Sequence, residues 1–109
     1  MKNDYTILKT GRHELTRVTI NEILYLKAFG NYTDIILESN KKITVCQNIK
    51  NILNYINSSI LIRISRNSAI NKTKAIKVIN GKKKIIRLTN NEELNYSTNY
   101  ISTPNDLLA

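Results

Sequence analysis

The chain has 109 residues, 41% of them hydrophobic, and carries a net charge of +9 with a single cysteine. That length holds one domain with a modest core and excludes two, and one cysteine excludes an intrachain disulfide and fits a reducing cytoplasm. The N-terminus has no apolar run of signal-peptide length, and nowhere do ~18 uninterrupted apolar residues occur, which excludes a membrane-spanning helix.

The dominant hydrophobic period is two, that of half-buried strands. Residues 5–10 read as a strand, Gly11-Arg12 as a turn, and residues 14–19 as its antiparallel partner. Residues 23–28 form the next strand, closed by Phe29-Gly30-Asn31. Residues 32–38 follow, with Thr33, Ile35 and Leu37 on one face and Asp34 and Glu38 on the other. Ser39-Asn40-Lys41 turns the chain into residues 42–46, where Cys46 is expected to be a small buried residue at the strand end.

The period then changes. Ile49, Ile52, Leu53 and Ile56 recur at i, i+3, i+4 and i+7, so residues 47–57 are read as one amphipathic helix whose narrow apolar stripe packs on a sheet face. Residues 60–65 form a short strand with Ile62 and Ile64 inward and Arg63 outward, and Arg66-Asn67-Ser68 interrupts the pattern. Residues 73–79 and 83–89 pair around Asn80-Gly81, the strongest hairpin signal in the chain. Asn90-Asn91 turns into residues 93–96, and residues 97–101 make one closing helical turn. The expected domain is residues 1–104, with 105–109 a poorly ordered tail.

Charge is distributed unevenly. Between Glu38 and Glu92 there is no acidic residue, whereas twelve Lys or Arg lie between Lys41 and Arg87. Such a segment creates a positive field that attracts polyanions. The Lys82-Lys83-Lys84 run is read as a solvated hairpin tip. Catalytic groups are scarce: His13 is the only histidine, and the three glycines form no phosphate loop. The carboxylates have no metal-loop spacing, so neither an enzyme, a metal site nor a cofactor is expected.

Three segments carry a family pattern: Ile23-Leu24-Tyr25-Leu26-Lys27-Ala28-Phe29-Gly30-Asn31-Tyr32-Thr33, then Ile62-Arg63-Ile64-Ser65-Arg66-Asn67-Ser68-Ala69-Ile70-Asn71, then Ile86-Arg87-Leu88 through Leu94-Asn95-Tyr96-Ser97-Thr98-Asn99-Tyr100. In order and spacing they resemble the LytTR family, the DNA-binding domain of many bacterial response regulators. The resemblance covers residues 5–101 and implies a mostly β, elongated antiparallel sheet or sandwich whose loops enter successive major grooves of double-stranded DNA. Its implied DNA-facing loops are residues 30–33, 65–68 and 97–99. Arg66, Asn31, Thr33 and Asn99 are the base-contact candidates, with Arg66 able to form two parallel bonds to guanine. Lys27, Arg63, Asn67 and Ser97 are the phosphate-contact candidates, which position without specifying. Asn71 is read as a turn cap, and Tyr25 and Tyr32 as core and rim packing.

Three departures stand out: Lys27 where the family usually has Glu, Ser65 where it has His, and Thr98-Asn99 where a basic pair is common. A receiver domain needs roughly 120 further residues, which leaves open a stand-alone regulator or a domain served by a receiver or sensor protein. The resemblance further implies a monomer or weak dimer on repeated half-sites. Two other classes share the charge. A β-rich RNA-binding module would want aromatics exposed on a sheet face, and a basic protein-interaction adaptor would meet an acidic partner.

Overall fold

A computed structural model describes residues 4–108 of the chain, measuring 46 × 32 × 23 Å along its principal axes. Ten strands, β1 (Tyr5–Gly11), β2 (Glu14–Thr19), β3 (Ile23–Phe29), β4 (Tyr32–Leu37), β5 (Lys42–Val45), β6 (Leu61–Arg63), β7 (Ser68–Asn71), β8 (Ala75–Asn80), β9 (Lys84–Leu88) and β10 (Glu93–Asn95), are joined by one α-helix, α1 (Ile49–Ile56), among the described residues. All strand pairs are antiparallel. The architecture is therefore the mostly β, one-helix arrangement expected from the alternating pattern.

Three layers result. The middle layer is a five-stranded sheet in the order β5-β4-β3-β7-β6, flanked by the β1-β2 hairpin and by a three-stranded sheet ordered β10-β9-β8. On one face, Leu8 and Val18 of the hairpin and Ile49 and Ile52 of α1 pack against Ile23, Leu26, Ile35, Ile43 and Ala69. On the other, Ile86, Leu88, Leu94 and Tyr96 pack against Leu24, Ile64 and Ile70. Leu24 and Leu26 have the same strand parity yet serve opposite cores. A bulge explains this: Ile23 pairs with Leu37 and Tyr25 with Ile36, which leaves Leu24 as the extra residue that reverses the alternation.

Local signals set the boundaries. The Asn48 side chain accepts the Asn51 amide and caps α1, and Asn57 ends it in the left-handed conformation at φ 50°. Asn71 is fully buried, and its Oδ1 accepts from the amide and hydroxyl of Thr73. It thereby caps a 3-10 turn, Lys72–Lys74, that replaces the first part of the strand expected at residues 73–79.

Two expectations are corrected. Cys46 is exposed, because β5 ends at Val45 and alternation after the inward Ile43 and Val45 turns the next side chain out. The C-terminal segment folds back instead of forming a disordered tail. Pro104–Leu108 makes a 3-10 helix that buries Leu107 in the second core, with the Thr103 hydroxyl donating to Asp106 Oδ2 at 2.7 Å. Ala109 lies outside the described residues.

Candidate nucleic-acid interface

Three backbone hydrogen bonds and one from a side chain bring the loops of the resemblance and their neighbours into one row. The Ala28 amide donates to the Asn67 carbonyl at 2.8 Å, setting the 65–67 loop against the end of β3 and its Gly30-Asn31 turn. The Ser97 amide donates to the Ile64 carbonyl at 2.8 Å, setting the 97–100 turn against the other side of that loop. Beyond it, the Tyr96 amide donates to the Lys84 carbonyl at 3.0 Å, so the lysine-bearing β8-β9 tip flanks the 97–100 turn. At the opposite end, Thr33 pairs with Val45 and its hydroxyl donates to the Gln47 carbonyl at 2.9 Å, which adds residues 46–48 to the row.

The side chains divide by what already engages them. Arg66, Asn31 and Asn99 are exposed, and their side chains make no hydrogen bond or ion pair among the described residues. Asn67 is exposed too, its backbone held on one side by Ala28 and on the other by Ser65 Oγ, which accepts its amide at 3.3 Å. Ser97 Oγ accepts the Asn99 amide at 3.1 Å, a bond that leaves the hydroxyl proton free to donate outward. Lys27 is exposed on β3 with its ammonium 5.9 Å from the Phe29 ring centroid.

Thr33 is different. It is fully buried on the same face as Ile35, with its hydroxyl bonded to the Gln47 carbonyl, so it joins two loops from beneath and does not reach a base. That corrects the base-contact expectation, and strand alternation is the reason. Arg63 also departs from a free phosphate clamp: its Nε donates to the Ser65 carbonyl at 3.1 Å and its Nη2 to the Arg66 carbonyl at 2.5 Å. Its guanidinium lies 5.3 Å from the Tyr100 ring centroid.

Electrostatics favour an anionic partner. Of the cations between Lys41 and Arg87, only Lys42, Lys74 and Arg87 meet a carboxylate among the described residues, namely Asp34, Glu38 and Glu93. Lys82 and Lys83 are exposed at the β8-β9 tip. Lys84 donates to Asn80 Oδ1 at 2.7 Å across the hairpin base. Tyr25, half-buried in β3, donates to Glu92 Oε2 at 2.8 Å. Burial, that hydrogen bond and the nearby charges of Glu92 and Asp34 push its phenol up to about 12.

Residues 46–48 and the β8-β9 tip were not read from sequence as part of this row. The available signal was strand register: a hairpin pairing Thr33 with Val45 must carry the next residues to the same edge. Among the described residues no helix is long and apolar enough to cross a membrane.

A model of the LytTR DNA-binding domain family matches residues 13–109. Among solved structures, the LytTR DNA-binding domain of a protein from Bacillus cereus described as a methyl-accepting/DNA response regulator is similar over 99% of both chains, with a TM-score of 0.75 and 19% sequence identity. No curated protein matches the chain.

Proposed function

This chain belongs to the LytTR DNA-binding domain family, a non-catalytic family that binds DNA in transcription regulation, and from that premise we propose how it reads its duplex. The row of loops lies along the major-groove side of the DNA. Arg66 makes two parallel bonds to guanine O6 and N7, while the Asn31 and Asn99 amides contact neighbouring bases, with adenine the natural partner of an amide. Lys27, Asn67 and Ser97 hold phosphates, joined by Lys82 and Lys83 at the flanking tip. The domain acts as a monomer or weak dimer on repeated half-sites, under a receiver or sensor protein where it is part of a longer chain.

The observation that carries this reading is the coincidence of exposed, unengaged Arg66, Asn31 and Asn99 on loops tied together by backbone hydrogen bonds. Rigid backbone under free polar tips is the arrangement that base readout needs.

Selection of bound sequences from a random duplex pool, with folded RNA as competitor, tests it. An enriched motif containing guanine is expected, poorly competed by RNA, with log K falling against log salt by about 0.9 per phosphate neutralised by a lysine or arginine. Lys82→Gln with Lys83→Gln makes that slope shallower by about 1.8 and leaves the motif unchanged. A pool that yields no motif, or equal competition by RNA, overturns the reading.

A further inference from the structure

We propose that Arg63 is a positioning residue that fixes the 65–67 loop relative to the 97–100 turn, and so sets the spacing between two base-reading elements. The proposal rests on the duplex-reading role above. It replaces the phosphate clamp implied by the family resemblance.

Three contacts converge on one planar group. Nε and Nη2 of Arg63 donate to the carbonyls of Ser65 and Arg66, the two residues that lead into the loop tip. The same guanidinium lies over the ring of Tyr100, the residue that closes the turn, at 5.3 Å from its centroid. Beside it, the Ile64 carbonyl accepts the Ser97 amide. The two elements are thus linked once through backbone and once through a side chain, with Arg63 as the shared member.

The chemistry requires arginine. Two carbonyls and an aromatic face are met together only by a flat fork with several fixed donors, whereas an ammonium is a point charge. The Nε–Nη2 side of that fork, which could hold a phosphate in two parallel bonds, is already turned onto the protein's own backbone. With the loop carbonyls drawn inward, the Arg66 side chain is left to project from the tip. Tyr100 stays 43% exposed, so its ring is not locked in the core.

The test compares Arg63→Met, Arg63→Lys, Tyr100→Phe and Tyr100→Leu on the motif selected by the native protein, reading affinity, salt slope and base preference at each position. Arg63→Met is expected to lower specific affinity about tenfold and to relax the preference both at the guanine of Arg66 and at the base beside Asn99. Its salt slope should stay within about 0.3 of native, because no phosphate contact is lost. Arg63→Lys should not restore the preference, and Tyr100→Phe should retain it. Tyr100→Leu should relax both positions, with the Arg63→Met/Tyr100→Leu double variant no worse than Arg63→Met. If Arg63→Met does not fold, the exposed Tyr100 variants carry the comparison.

A slope shallower by about 0.9 with both base preferences intact makes Arg63 a phosphate contact and overturns the inference while the duplex reading stands. Additive losses in the double variant overturn it as well. If the native protein selects no motif, the duplex reading and the positioning role fall together.

Discussion

Two loops of the interface hold their shape in opposite ways. The 65–67 loop is fastened from several sides: Ser68 O accepts the amides of Ile64 and Ser65, Ser65 Oγ accepts that of Asn67, and Arg63 gathers two of its carbonyls. The Gly30-Asn31 turn has no such frame. It is a two-residue hairpin link whose shape depends on Gly30 at φ +58°, with nothing within 4 Å of where a Cβ would sit. One loop is rigid because its surroundings hold it, the other because one residue can adopt the required backbone. A contact from the first loop is placed in advance, and a contact from the second depends on local conformation alone.

Arg66→Ala acts on the framed loop and should have the largest effect, costing about 1–3 kcal/mol on the selected duplex and relaxing one base position. Titration at fixed salt measures it, and unchanged specific affinity would remove Arg66 from the contact set. Gly30→Ala acts on the unframed turn. With open space around it, its cost is conformational, about 1–2 kcal/mol of stability in denaturant unfolding. The preference at the guanine of Arg66 should survive, and its loss would mean that the two loops are not independent. Thr33→Val probes the joint beneath the turn. A loss of about 1 kcal/mol of stability is expected with no change in base preference, since a buried hydrogen bond and not a DNA contact is removed. Relaxed base preference would contradict the burial of Thr33.

The smallest effect lies away from the DNA. Tyr25 holds its proton more tightly in the folded protein, its phenol being raised from 10.0 to about 12. The resulting stabilisation is complete below the unfolded value and is lost as pH rises through the folded one. Stability should therefore be insensitive to this group up to about pH 10 and decline toward pH 12. Tyr25→Phe should flatten that part of the curve, and ultraviolet titration of the phenolates should show one tyrosine lagging the others.

Much of the fold was legible where one rule acted alone. The spacing of Ile49, Ile52, Leu53 and Ile56 gave α1, and Asn80-Gly81 gave the β8-β9 hairpin. β7 was missed because all four of its residues are buried, leaving no alternation to read. Thr33 shows two rules in conflict: the alternation that set it beside Ile35 and Leu37 also buries it, against its implied DNA role. Leu107 offered no period at all, since two adjacent leucines after Pro104 carry too little pattern to announce a packed helix. The resemblance located the loops, but the engagement of Arg63 depends on carbonyl directions and on a ring 37 residues away in sequence, which spacing does not encode.

β3 and β7 bear on how the molecule comes apart. Each lends side chains to both hydrophobic clusters: Leu26 and Ala69 to one, Leu24 and Ile70 to the other. Neither cluster can melt without stripping these two strands, so the domain should unfold as one cooperative unit, with the slowest amide exchange in β3 and β7. The loops of the candidate interface emerge from the ends of the same strands. Occupancy of the loops by a duplex should therefore slow exchange throughout the sheet and raise the unfolding temperature of the whole domain, in proportion to the logarithm of free DNA concentration.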